Sequence, residues 1–104
     1  MTGRGAAPPI YVGGTMESVW YLYMLRCGDG ALYTGITTDV EKRFAAHCAG
    51  KGAKYTRGRG PLELVYQEVC GSHGEALRRE LAVKKLKRNG KLDLIDSYRE
   101  KKEK

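Results

Sequence analysis

The sequence predicts an α+β domain: a small three-stranded antiparallel sheet flanked by helices, in the order strand, strand, helix, strand, helix, helix. Two observations carry most of that reading. Val19 to Arg26 and Ala31 to Ile36 are apolar or aromatic at nearly every position and are separated by Gly28-Asp29-Gly30, the composition of a hairpin between buried strands. Thr38-Asp39-Val40-Glu41 and Ser72-His73-Gly74-Glu75 have the spacing of capping boxes, so each opens a helix. A chain of 104 residues has room for one such domain with a small core, and for one active site at most.

Residues 1–17, with Pro8-Pro9, Gly13-Gly14 and no apolar periodicity, are expected to be a disordered leader. The folded domain is placed at 18–96, followed by a charged C-terminal tail at 97–104. In the hairpin the loop length decides which side chains share a face. If Cys27 pairs with Ala31 across a three-residue loop, Tyr23, Tyr33 and Gly35 lie together; a two-residue Asp29-Gly30 turn would separate the two tyrosines. Gly35 is expected to leave space beside Tyr33. The first helix should run from Asp39 to about Cys48, with Val40, Phe44 and Cys48 as its core stripe. Arg43 and His47 form a parallel stripe about 60° away, at the edge of the buried face.

Ala49 to Gly60 is glycine-rich and basic, with one short helical turn expected around Ala53 to Arg57, and Leu62 to Val69 alternates as a third strand. The second capping box should open a helix to about Arg88, stopped by Asn89-Gly90. Lys91 to Lys104 reads as a short amphipathic helix through Leu92, Leu94, Ile95 and Tyr98 with a frayed end.

Lys plus Arg outnumber Asp plus Glu by 19 to 12, a net charge of +7 that favours polyanionic partners. The excess is local. Lys42, Arg43, Lys51, Lys54, Arg57 and Arg59 fall between residues 42 and 60 with no acid among them, whereas residues 1–41 hold two cations and four acids. Cys27, Cys48 and Cys70 lack metal-ligand spacing and read as free thiols of a reducing compartment. No apolar run reaches membrane-spanning length, and the expected setting is the cytoplasm, with a monomer assumed.

Glu80 falls in the middle of the second helix's apolar face, between Leu77 and Leu81 on one side and Ala76 and Val83 on the other. A carboxylate there must be paired, protonated or bound to a metal. From spacing alone an ion pair with Lys84 is slightly the better reading. Tyr11, Tyr66 and Tyr98 are read as core area with hydroxyls at the surface.

The order Tyr21-Leu22-Tyr23, ten residues to Tyr33-Thr34-Gly35, ten more to Arg43, four to His47, and later Glu80 resembles the GIY-YIG nuclease superfamily. The likeness is to its small single-domain bacterial members and covers about residues 18–96. Here Tyr21 stands where the family name has glycine and Thr34 where it has isoleucine. The asparagine that many family nucleases carry beyond the glutamate falls near Leu92, and Asn89 is not a match.

The resemblance implies a GIY-YIG-like fold and a metal-dependent endonuclease that hydrolyses DNA phosphodiesters, with structure-selective, single-stranded or RNA substrates left open. It implies Tyr23, Tyr33, Arg43, His47 and Glu80 as the catalytic set, with Glu80 holding one Mg2+ or Mn2+. Arg43 would bind the non-bridging phosphate oxygens, and either tyrosine would take the proton of the attacking water. A free phenol with a pKa of about 10 is a poor base, so a neighbouring cation must assist it. Lys51, Lys54, Arg57 and Arg59 are expected to touch backbone phosphates. The alternative is a noncatalytic nucleic-acid-binding module that keeps the fold.

Overall fold

The computed structural model describes residues 10–12 and 15–102. Their elements are β1 (Ile10–Val12), β2 (Thr15–Glu17), β3 (Trp20–Arg26), β4 (Leu32–Thr37), α1 (Val40–Cys48), β5 (Glu63–Gly71), α2 (His73–Lys85) and α3 (Arg88–Lys102), with a 3-10 turn at Lys54–Thr56. The order β4-β3-β5 makes a three-stranded antiparallel sheet, as the sequence predicts. Within the segment read as a leader, β1 and β2 pair antiparallel, Tyr11 opposite Met16. The rest of the leader and the last two residues of the tail lie outside the described residues. No helix among the described residues is long and apolar enough to cross a membrane.

The hairpin uses the three-residue loop. Cys27 N–H donates to Ala31 O at 2.8 Å, and the register sets Tyr23 opposite Gly35 and Leu25 opposite Tyr33. Odd-numbered residues of β3 therefore share a face with Tyr33 and Gly35. That face packs Tyr23, Leu25 and Tyr33 against Val40 and Phe44 of α1. The opposite face packs Leu22 and Met24 against Val83 of α2 and Ile95 of α3. In β5 the ladder slips where Met24 faces Tyr66 and Leu25 faces Leu64. This bulge at Val65 lets Val65 and Tyr66 both join the second core while Leu64 joins the first.

Three helix details differ from the sequence reading. The N-cap of α1 is Asp39, whose side chain accepts from Lys42 N–H, and not Thr38; Thr37 Oγ1 in turn accepts from Asp39 N–H. The inward residues of α1 are Val40, Phe44 and His47, with Cys48 exposed, because the loop after the helix covers the histidine side. The end of α2 comes at Lys85 rather than Arg88, and Asn89-Gly90 lie inside the first turn of α3. There the amide N–H groups need no intrahelical partner, so weak helix formers cost least. The break at Leu86-Lys87 re-aims the chain so that Ile95 reaches the sheet and Tyr98 meets Tyr66 edge-on at 5.6 Å.

Candidate active site

The site forms on the face of the sheet that carries α1. Tyr23 stands on the central strand and is 1 % exposed, with its hydroxyl 2.8 Å from His47 Nε2. Tyr33, on edge strand β4, is half-buried; its ring centroid lies 6.3 Å from that of Tyr23 and 5.2 Å from the imidazole of His47. The backbone of Gly35 makes room for this arrangement. A Cβ there would lie 2.6 Å from the Tyr23 hydroxyl, so the space expected beside Tyr33 is taken by Tyr23, its cross-strand neighbour.

Arg43 and His47 reach the same place from successive turns of α1. Burial pushes the Tyr23 hydroxyl up to about 12, while the Arg43 guanidinium beside it pulls the other way. Burial also holds His47 below the usual imidazole range, and the positive charge of Arg43 adds to that effect. At neutral pH the pair is a neutral phenol and a neutral imidazole with a fixed cation alongside. Donors of this kind suit the non-bridging oxygens of a phosphate.

The other ring nitrogen of His47 is held by the following loop. Nδ1 lies 2.8 Å from Thr56 Oγ1 and accepts from Ala53 N–H at 3.3 Å. Tyr55 stacks on Tyr33 with centroids 5.8 Å apart, and the Arg59 guanidinium sits 4.5 Å above the Tyr55 ring. Sequence reasoning assigned this loop only to phosphate contact and passed over Tyr55 and Thr56. An aromatic residue interleaved with Lys54, Arg57 and Arg59 was the available signal for Tyr55; a lone loop threonine carries none.

Glu80 lies on α2, which packs its buried Val83 against the sheet face opposite α1 and also touches edge strand β4, the strand that carries Tyr33. Its side chain is 19 % exposed and its carboxylate lies 3.1 Å from Lys84 Nζ, the ion pair that the spacing slightly favoured. Glu80 is not at the centre of an apolar face as the sequence reading had it. Leu77 and Leu81 are 42 % and 61 % exposed, so the buried stripe of α2 passes to one side of it. Among the described residues no three His, Cys, Asp or Glu side chains gather to hold a metal. A single carboxylate completed by waters and substrate phosphate is nevertheless a donor set that a hard cation such as Mg2+ accepts.

Of the basic residues, Lys51, Lys54 and Arg57 are exposed. Arg59 is committed elsewhere: its Nη1 bonds Asp29 Oδ2 at 2.7 Å in addition to covering Tyr55.

The chain matches the model of the GIY-YIG catalytic domain over residues 19–93. It belongs to the GIY-YIG family. Its relatives include a UPF0213 protein of Cupriavidus pinatubonensis, 57 % identical over 72 residues that make up 69 % of this chain and 80 % of the relative. Another, from Staphylococcus haemolyticus, is 54 % identical over 76 residues, covering 73 % and 93 % of the two chains. The solution NMR structure of an E. faecalis protein shares 36 % identity with a TM-score of 0.55, over 80 % of this chain and 88 % of that one. The GIY-YIG domain places the protein in a nuclease family and points to nucleic acid as its partner.

Proposed function

We propose that this GIY-YIG domain is a metal-dependent endonuclease that hydrolyses DNA phosphodiester bonds. The observation that carries the reading is the buried Tyr23–His47 hydrogen bond with Arg43 beside it and Tyr33 at its open side. A core that needed only apolar area would not bury a phenol and an imidazole together beside a guanidinium, because burying each polar group costs desolvation. Such a group is useful where charge develops during reaction.

Exposure divides the tyrosines. Tyr23 is closed off from solvent and holds geometry, whereas half-buried Tyr33 is accessible to an attacking water and, as the phenolate with the Arg43 cation close by, takes its proton. Arg43 binds the non-bridging oxygens and balances the negative charge gathered there. Glu80 would hold one Mg2+ or Mn2+, which when bound supplies charge stabilisation at the phosphate and the leaving oxygen. Lys51, Lys54 and Arg57 hold the flanking strand through its phosphates.

The Glu80–Lys84 ion pair favours a second reading, a noncatalytic nucleic-acid-binding module, because the lysine occupies the carboxylate that a metal would need. One experiment separates the two. Labelled single-stranded, duplex and branched DNA are incubated with the protein, with Mg2+, with Mn2+ and with chelator. Cleavage that needs metal and falls by about 100-fold or more in Tyr33→Phe and in Glu80→Ala is the expected result. Binding without cleavage, equal in the wild type and both variants, would establish the noncatalytic module.

A further inference from the structure

We infer that Thr56, with the backbone of Gly52 and Ala53, is a positioning clamp that keeps His47 in the tautomer protonated on Nε2, so that the imidazole donates to Tyr23. A neutral imidazole carries one N–H and one acceptor nitrogen. Ala53 N–H donates to Nδ1 at 3.3 Å, and an amide N–H cannot accept, so a proton on Nδ1 would oppose it. The Thr56 hydroxyl, 2 % exposed and 2.8 Å from the same nitrogen, can turn to donate there as well. Its competing acceptor, Ala53 O, is farther at 3.1 Å. The imidazole proton therefore sits on Nε2, 2.8 Å from the Tyr23 oxygen.

The loop is shaped for this contact. A Cβ at Gly52 would lie 2.3 Å from Nδ1, so only glycine lets the backbone come close enough to present the Ala53 amide. Thr56 is fixed by the 3-10 turn Lys54–Thr56, within which Thr56 N–H donates to Ala53 O at 3.2 Å. The segment thus has two sides: Lys51, Lys54 and Arg57 are exposed, while Gly52, Ala53 and Thr56 line the histidine.

The tautomer gives the site a direction. With Nε2–H donating to its oxygen, Tyr23 cannot pass its own proton to His47, and the Tyr33 ring lies at its open side with centroids 6.3 Å apart. The opposite tautomer would make His47 an acceptor for the buried phenol, the wrong tyrosine for an attacking water. A third group that orients an imidazole is a recurring arrangement in catalytic sites. The consequence for rate rests on the nuclease reading; the tautomer itself does not.

The test reads both. Long-range proton–nitrogen correlation spectra of the 15N-labelled, substrate-free protein, with His73→Gln to assign the two histidines, report which ring nitrogen of His47 is protonated. The expected result is Nε2–H in the wild type, a mixture of tautomers in Thr56→Val, and return to Nε2–H in Thr56→Ser. Cleavage by Thr56→Val should fall about tenfold in kcat with KM unchanged, and Thr56→Ser should restore it. A wild-type His47 protonated on Nδ1, or a Thr56→Val protein with wild-type tautomer and kcat, overturns the inference. If Thr56→Val fails to fold, Thr56→Ala, which also lacks the hydroxyl, is read in its place with the same expected mixture of tautomers. If the wild type does not cleave DNA, the nuclease reading falls while the tautomer measurement stands on its own.

Discussion

Burying a neutral histidine beside an arginine ties the stability of the protein to pH. Desolvation, and then the Arg43 charge, hold folded His47 below the usual imidazole range, whereas in the unfolded chain it takes up its proton near pH 6.5. Below that pH the unfolded state binds more protons than the native state, so stability falls as the solution is acidified and is fully retained above it. Thermal unfolding followed from pH 7.5 to pH 5 should show a steady drop in Tm, and the drop should be shallower in His47→Gln. The window isolates the histidine, because Glu68, Asp29 and Glu75, whose folded pKa values are also lowered, lose their contributions only at more acid pH. An equal slope in the variant would assign the effect elsewhere. Residue spacing placed Arg43 and His47 on one stripe, but it could not show that His47 is buried more deeply than Val40. That depends on a loop folding back over the helix, and no local periodicity records it.

At the scale of the element, the capping box of α2 is complete. Ser72 Oγ accepts from Glu75 N–H at 3.1 Å, and the Glu75 carboxylate accepts from Ser72 N–H at 2.8 Å. Ser72→Ala removes one of these bonds at the surface and should cost about 1 kcal/mol, which in a domain of this size lowers Tm by roughly 4–8 °C. Differential scanning calorimetry checks it, and a Tm unchanged within error would show that the start of α2 is held by packing instead. Elements governed by local chemistry were legible in the sequence: the capping box of α2, the hairpin, and the short turn in the basic segment; the loop length stayed open between two and three residues, and the cap of α1 falls one residue later than its Thr38 signal, at Asp39. What packing decides was not legible. The break at Leu86 carries no glycine or proline, and Asn89-Gly90, which looks like a stop signal, sits where a helix tolerates it. The exposure of Leu77 and Leu81 was hidden for the same reason, since a helical wheel gives relative angles and not which of two adjacent stripes the sheet selects. Thr56 and Tyr55 escaped because their partners His47 and Tyr33 are distant in sequence.

For the molecule as a whole, the sheet separates two tasks. One face, with α2 and α3, carries the larger apolar core and the ion pair of Arg79 with Glu68 at 2.7 Å; the other, with α1 and the basic loop, carries Tyr23, Tyr33, Arg43 and His47. The charge of +7 is therefore concentrated where a strand would approach Tyr33. Binding driven by phosphate neutralisation releases counterions, so the logarithm of affinity should fall linearly with the logarithm of salt concentration. Each lost contact should flatten that slope by about 0.7 for a single strand or about 0.9 for duplex. Replacing Lys51, Lys54 and Arg57 together by alanine is expected to reduce the slope by roughly 2 to 3, with little effect on cleavage at saturating DNA. Arg59→Ala should change the slope less than any of those three, because Asp29 already neutralises its guanidinium at 2.7 Å. Fluorescence anisotropy of labelled DNA over a salt series measures both. A slope unmoved by the triple substitution would mean that the strand runs elsewhere on the surface, and a large effect of Arg59→Ala would mean that DNA displaces Asp29 from the arginine on binding.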